Sequence, residues 1–514
     1  MQNEALEPGS IRKVVIAGGG TAGWMAAATL STYFGKLLDI TLVESEQIGT
    51  VGVGESTVPP LVTLHGLLGI DEQHFMRECA ATFKAGIWFE DWGRIGDKYM
   101  HPFGRHGEST WVAEFHNFWL HARAQGLQVP LGEYCYEWLA ATQGKFGKRE
   151  NPRINYAYHF DAALYARYLR KLSEPRGVKR VEGQIKTVRT HEQSGFVEAL
   201  ELHDGRIVEG DFFLDCTGFR GLLIEGALRT GFEDWSHWLP CDTAVAFQTI
   251  VDTPPQPYTA CYAHTAGWRW NIPVQHRVGN GVVFCSRYMS EDEARHRLVT
   301  ESGGRAVKEP WLVRIKAGRR RKAWNKNVVS FGLASGFVEP LESTSIHMIM
   351  SAAVRLAHLF PFTGVKPAMV DHYNELARRE IEHIRDFVCM HYYCTQRDDS
   401  AFWRDCRKME IPETLRSRIE LFRESGFLYQ GDSELFRVDS WIAVFMGQNI
   451  EPKSYHHYAR MSDANLAQYM AKIRADVARV VGALPAHGDF VRQYAGASAE
   501  AWGAVSPLSP PGTL

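Results

Sequence analysis

One stretch limits what this chain can fold into more than any other: RKVVIAGGGTAGWMAAATL, residues 12 to 30. It opens as an apolar strand, passes through Gly18-x-Gly20-x-x-Gly23 and continues as an Ala-rich helix, the order that a dinucleotide-binding turn requires. Gly18 permits the tight turn, Gly20 lets a pyrophosphate approach the backbone, and Gly23 lets helix and strand pack closely. The free N–H groups of the helix start, at Thr21 and Ala22, then face the phosphates. A second strand, DITLVES at 39 to 45, ends on Glu44, 26 residues past Gly18, where a carboxylate accepts hydrogen bonds from ribose hydroxyls. That acid favours an unphosphorylated adenosine ribose, and so FAD or NAD over NADP.

The glycine turn alone does not separate FAD from NAD, but the rest of the chain favours FAD. VEGDFFLDCTGFRGLL (208 to 223) reads as a buried strand reaching Asp215, and VVSFGLASGFVEPLESTSIHMIMSAA (328 to 353) as a strand, a Gly-rich turn at Gly332 and a helix start. Nucleotide elements spread over 350 residues, with other material between them, suit a flavoprotein better than one contiguous dehydrogenase domain. The inserted stretches KAGIWFEDW (84 to 92), TAVAFQTIV (243 to 251) and GVVFCSRY (281 to 288) read as strands of a sheet over the flavin region. In GWRWNIP (267 to 273) a period of two puts Trp268, Trp270 and Ile272 on one face and Arg269 and Asn271 on the other. From about residue 350 helical periodicity dominates. The expected architecture is α/β: a FAD-binding Rossmann-like box with an inserted β-sheet over 1–350, a helical C-terminal region over 351–504 capping the substrate side, and a Pro-rich flexible tail over 505–514.

Composition narrows the function classes. A formal net charge of −2 over 514 residues argues against nucleic-acid binding, which calls for a basic excess. The nine Cys are scattered, with no zinc spacing, so no metal site is expected and reduced thiols in a cytoplasm fit best. The polar N-terminus lacks a signal-peptide core and no apolar run reaches membrane-spanning length, so a cytoplasmic protein off the membrane is expected. AGRRRKAW (317 to 324) reads as a solvated basic loop, and the aromatics of HYYCTQRDDSAFW (391 to 403) as packing.

GGGTAGW (18 to 24), VGVGESTVPP (51 to 60), GWRWNIP (267 to 273) and GFVEPLESTS (336 to 345), four motifs in order, resemble the flavin-dependent halogenases of the tryptophan halogenase family. The resemblance implies a FAD-box fold like that of aromatic hydroxylases, to which Gly54, Glu55, Ser56 and Gly332 contribute beside the glycine turn. It implies that FADH2 from a separate NAD(P)H-dependent flavin reductase reacts with O2 to a hydroperoxide, whose distal oxygen is attacked by bromide or chloride. The resulting hypohalous acid travels a tunnel to Lys84, beside the aromatic substrate. The two indoles, Trp268 and Trp270, are then the wall between flavin and substrate.

The same resemblance assigns further roles. Glu342 is the catalytic carboxylate that stabilises the cationic intermediate and takes its proton, and it could pair with Lys84. Glu339 is the rival carboxylate, expected to hold the turn before Pro340. Thr344 and Ser345 open a helix whose N–H groups form a halide nest, with Ser345 standing where the best-known members carry Gly. His101 and Phe103 line the substrate. Tryptophan-specific members grip the amino-acid head group with an adjacent Tyr pair, absent from ESGFLYQGDSELFRVDSWIAVFMGQ (424 to 448), where Tyr429, Glu434 and Phe436 are the candidates. Indole or another electron-rich arene is therefore the expected substrate. Two rivals are carried forward: a flavin-dependent aromatic monooxygenase and a non-catalytic flavin-binding protein. A homodimer is an open expectation without a sequence signature.

Overall fold

The computed structural model describes residues 10–48, 54–111, 113–456 and 461–496; residues 51–53 of the VGVGEST motif and the 505–514 tail lie outside them. A six-stranded sheet organises the nucleotide region, in the order Trp324–Asn325, Val328–Ser330, Phe212–Asp215, Lys13–Ala17, Asp39–Glu44, Lys179–Glu182. Its neighbours run parallel except for the first pair. Val14, Val15, Ile16 and Ala17 are all buried, as expected of a central parallel strand covered on both faces. The helix Gly20–Phe34 leaves the glycine turn and packs against the helices Ala162–Ser173 and Ser345–His358. Its buried Ala26, Ala27 and Ala28 let those helices come close.

The inserted strands form a second, mainly antiparallel sheet: Arg305–Ala306, Thr243–Ile250, Val278–Phe284, Gly267–Pro273, Thr259–His264, Gly86–Glu90, Lys98–Pro102. The third predicted strand is shifted: it runs Val278–Phe284, and the chain turns at Cys285. KAGIWFEDW is not one strand either. Thr82–Lys84 pairs with Ala157–Phe160 in a small sheet completed by Glu55–Ser56, whereas Gly86–Glu90 belongs to the large one. The chain changes sheets at Ala85, where a Cβ on Gly86 would meet the His101 carbonyl oxygen at 2.4 Å. Lys84 thus sits at the joint between two sheets.

The basic run is a solvated loop only in its second half, where Arg321 and Lys322 are exposed. Gly318–Arg320 is the middle strand of a three-stranded sheet, and Arg320 is buried, bonded to Glu225 and the Ala334 carbonyl. Arg319 pairs with Glu233 and Glu382, so carboxylates from three separate elements explain its inward course. Beyond Ser345–His358 come the 27-residue helix Pro367–Tyr393 and the helices Ala401–Lys408, Glu413–Ser425, Val438–Gly447, Asp463–Gly482 and His487–Ala495. One hydrophobic cluster runs from Val14 and Trp24 through Trp268 to Phe387, Trp441 and Ala495. The C-terminal helices share that core with the nucleotide region. No helix among the described residues is long and apolar enough to cross a membrane.

Candidate active site

The nucleotide cleft is built around the glycine turn. Gly18 adopts φ +98°, and a Cβ there would lie 2.4 Å from the Cys216 carbonyl oxygen of the neighbouring strand. The helix from Gly20 starts without a side-chain cap and without an acid in its first turn, leaving its N–H groups and positive dipole end to an anion. Glu44 closes the second strand against that turn: a Cβ on Gly19 would lie 1.7 Å from its Oε2. The Glu44 carboxylate accepts from Arg180 Nε (2.6 Å) and Trp24 Nε1 (3.2 Å), and its remaining lone pairs are available to a ribose. Gly332, from the far end of the sequence, comes against Ala22 and Ile349. This uncapped helix end, acid and second glycine turn form a cradle that fits FAD. Glu55, paired opposite Phe160, is pushed up to about 7 by burial and by the nearby charge of Asp161.

The second centre forms where the small sheet, the large sheet and the 336–345 turn meet. Lys84 is fully buried; its ammonium donates to the Thr57 carbonyl (3.0 Å) and Ser343 Oγ (2.8 Å) and lies 5.0 Å from the Phe103 ring centroid. Burial pulls it down to about 7, against the opposing pull of Glu342. Glu342, also fully buried, accepts from His101 Nδ1 (2.7 Å) and His391 Nε2 (2.8 Å). Burial alone would raise its proton affinity, but the two imidazoles outweigh that and bring it down to about 2. Burial also keeps His391 toward its neutral form, so its share in holding Glu342 is an N–H hydrogen bond more than a full charge. The expected Lys84–Glu342 contact is thus replaced by separate partners on each side.

The 336–345 turn places three functional groups in succession. Ser343 has φ +61°, which turns its hydroxyl back to Lys84 while Glu342 faces the histidines. Thr344 precedes the 14-residue helix from Ser345 and gives it no side-chain cap; its own Oγ1 is buried with no partner among the described residues. Glu339 does more than hold the turn, since its Oε2 accepts from Trp268 Nε1 (3.1 Å) and Tyr392 OH (2.6 Å). Burial pushes it up to about 7.

Trp268 and Trp270 are buried on one face of their strand, with ring centroids 6.0 Å apart, while Arg269 and Asn271 are partly exposed. Trp270 lies flat on Gly281 of the adjacent strand, where a Cβ would come 2.0 Å from its ring. Trp92 packs on Trp268 at 6.4 Å. On the other flank of Glu342, the His101 ring lies 5.5 Å from Phe387 and 6.0 Å from Phe436, and those two phenyl rings stack at 3.8 Å. Glu434 is bound by Arg418 at 2.7 Å, and Arg418 is sandwiched 4.4 Å from both Tyr429 and Trp441. Those side chains, with His383 and Asp386, line a cavity of about 270 Å³.

Sequence reasoning missed four contributors: His391, Tyr392, Ser343 and Thr57. The first two lie in the HYY stretch read as packing, in the last turn of Pro367–Tyr393, and the signal available was a buried-type helix carrying a His. Ser343 stood between two assigned residues, and Thr57 acts through a backbone carbonyl, which no side-chain pattern reveals.

The tryptophan halogenase family model matches residues 13–464. The chain is 52% identical to Xcc4156, a flavin-dependent halogenase from Xanthomonas campestris, over 94% of this chain and 98% of that one, with a TM-score of 0.93. It is 42% identical to BrvH, a flavin-dependent halogenase from Brevundimonas sp. BAL3, over 94% and 99%, with a TM-score of 0.91. Among tryptophan halogenases, the 6-halogenase ThaL of Streptomyces albogriseolus is 34% identical over 95% of this chain and 99% of its own length.

Proposed function

The chain belongs to the tryptophan halogenase family, and from that premise we propose that it is a halogenase of indole or a related electron-rich arene, with Lys84 and Glu342 as its catalytic pair. Bound in the glycine-turn cleft, reduced FAD from a separate reductase would supply, with O2, the oxidation of halide to hypohalous acid. Thr344 and the uncapped helix at Ser345 hold the halide: a buried hydroxyl without a partner among the described residues and a helix dipole both favour an anion. Trp268 and Trp270 wall this compartment from the arene and exclude water from it.

Lys84 receives the hypohalous acid. Near neutral pH it is shared between ammonium and amine, so it can donate a hydrogen bond that polarises the O–X bond or present a lone pair to the halogen. Phe103 and His101 position the arene. Attack of the ring carbon on the halogen breaks the O–X bond, the oxygen leaves as water with the proton that the Lys84 ammonium donates, and a cationic ring remains. Glu342, ionised at all working pH, stabilises that cation and takes its proton; an arenium is acidic enough to protonate even a weak base. Its two histidine donors keep the carboxylate charged and oriented until then. The single observation that carries the reading is a fully buried lysine, drawn down to about 7, beside a fully buried carboxylate held ionised by two imidazoles.

The test supplies purified protein with FAD, a flavin reductase, NADH, O2 and bromide and screens a panel of indoles by product mass. Replacement of hydrogen by bromine is expected. Addition of oxygen regardless of bromide would instead assign an aromatic monooxygenase, and no product with bound FAD would assign a flavin-binding protein.

A further inference from the structure

Behind Lys84 runs a chain of hydrogen bonds whose direction can be deduced end to end. Thr82 Oγ1 donates to the Pro273 carbonyl at 2.7 Å, so towards His159 it can only accept. His159 Nδ1, 3.1 Å away, is therefore the protonated ring nitrogen. Burial, with the charge of Lys84 next, lowers the proton affinity of His159 far below the usual histidine range, so the ring is neutral and its Nε2 is an acceptor. Thr259 Oγ1, 2.9 Å from Nε2, must then donate to it and accept from Ser56 Oγ at 2.6 Å. Ser56 in turn accepts from Ser343 Oγ at 2.9 Å. Ser343 has spent its only proton, and towards Lys84 Nζ at 2.8 Å it offers only a lone pair. All of these groups are buried.

We infer that His159, Thr259 and Ser56, acting through Ser343, are positioning residues that force Lys84 to donate backwards and so fix which face of its nitrogen meets the hypohalous acid. The inference rests on the reading of Lys84 as the halogen-handling group. A lysine nitrogen has three positions besides its carbon. Two must carry hydrogen, one aimed at the Thr57 carbonyl and one at Ser343. The third is the only position whose occupant changes with protonation: an N–H in the ammonium, the lone pair in the amine. Lys84 therefore never buries its lone pair in the protein. The chain ends on a carbonyl and its imidazole stays neutral, so it holds the orientation without carrying the proton away. The proton exchanged at Lys84 must pass on the arene side.

The titratable groups that face Lys84 electrostatically are Glu342, Cys261 and His159, and the direction of its N–H groups is set by the two acceptors, the Thr57 carbonyl and Ser343 at the end of the hydroxyl chain. If the chain is cut at Thr259, Ser56 can turn its hydroxyl back to Ser343, and Ser343 can then donate to Lys84. That stabilises the neutral amine and sequesters its lone pair.

The experiment compares wild type, Thr259→Val and Thr259→Ser as full-length protein labelled with [ε-13C]lysine, the Lys84 signal being assigned by its loss in Lys84→Met. Thr259→Val keeps the shape and β-branching of the strand residue, and Thr259→Ser keeps the hydroxyl. The expected result is a fall of about one pH unit in the Lys84 titration midpoint in Thr259→Val, the shift that one neutral hydrogen bond supplies, with restoration in Thr259→Ser. The pH profile of halogenation should move with it. An unchanged or raised midpoint in Thr259→Val, or a serine variant that behaves like valine, overturns the inference. Because the titration is read without turnover, a protein that shows the shift yet never halogenates refutes the proposed function and leaves the chain standing.

Discussion

Lys84 is held in an environment that works against its charge, and that has consequences in two directions. With its folded value near 7 and an unfolded value near 10.5, it binds fewer protons folded than unfolded between those limits, so its cost to stability is full below pH 7 and shrinks as pH rises towards 10.5. Lys84→Met should therefore stabilise the fold by roughly 1–3 kcal/mol at pH 6 and less at pH 9, read by urea denaturation, while lowering turnover by roughly three orders of magnitude. Equal gains at both pH values would show that Lys84 is not desolvated. Glu342 has the opposite sign: its folded value is near 2 against 4.5 unfolded, so its contribution is present above pH 4.5 and is lost as pH falls towards 2. Glu342→Gln should make unfolding stability less pH-dependent across that window and cut kcat by about 10²–10⁴. Thr344→Val removes a buried hydroxyl that has no partner among the described residues, so stability should hold or rise by about 1 kcal/mol while the bromide concentration at half-maximal rate increases severalfold. An unchanged bromide dependence would place the halide elsewhere.

At the scale of elements, the strand Gly267–Pro273 shows how much the alternation of side chains reveals. Its period of two placed Trp268 and Trp270 on a buried face, and they lie there. Its partners were not legible: that Glu339 and Tyr392 hold the Trp268 indole depends on a turn about 70 residues later and a helix beyond it. Trp270→Ala should cost about 3–5 kcal/mol, because the ring fills the space that Gly281 leaves open. It should also raise the proportion of oxygenated or uncoupled product, measured as hydrogen peroxide released per halogenated arene. An unaltered ratio would remove the indoles from any role as a wall. The KAGIWFEDW stretch marks the opposite limit. Its apolar run suggested one strand, whereas the pairing divides it, Thr82–Lys84 joining the small sheet and Gly86–Glu90 the large one, so that Lys84 lies at the joint.

For the whole molecule, the glycine turn, its strand and Glu44 were readable because their chemistry is local in sequence, whereas the site around Lys84 gathers residues from 57, 84, 101, 342 and 391. Such a gathering follows from topology and leaves no periodic trace. The continuous core also bears on how the chain can be divided. Leu356, Phe387, Trp441 and Val481 share one cluster with Trp24 and Trp268, so a chain ended at residue 350 should be insoluble. FAD at a hundred times its dissociation constant should raise stability by about 2.7 kcal/mol, seen as a concentration-dependent melting temperature. In the proposed function, halide oxidation and arene substitution occur in two compartments divided by Trp268 and Trp270. The most direct measurement is a crystal structure of the protein with FAD and a bound indole. The arene is expected against Phe103, within reach of Lys84 and Glu342, with the indole wall between it and the isoalloxazine ring. A flavin ring opening straight onto the arene, with Lys84 facing away from both, would contradict it.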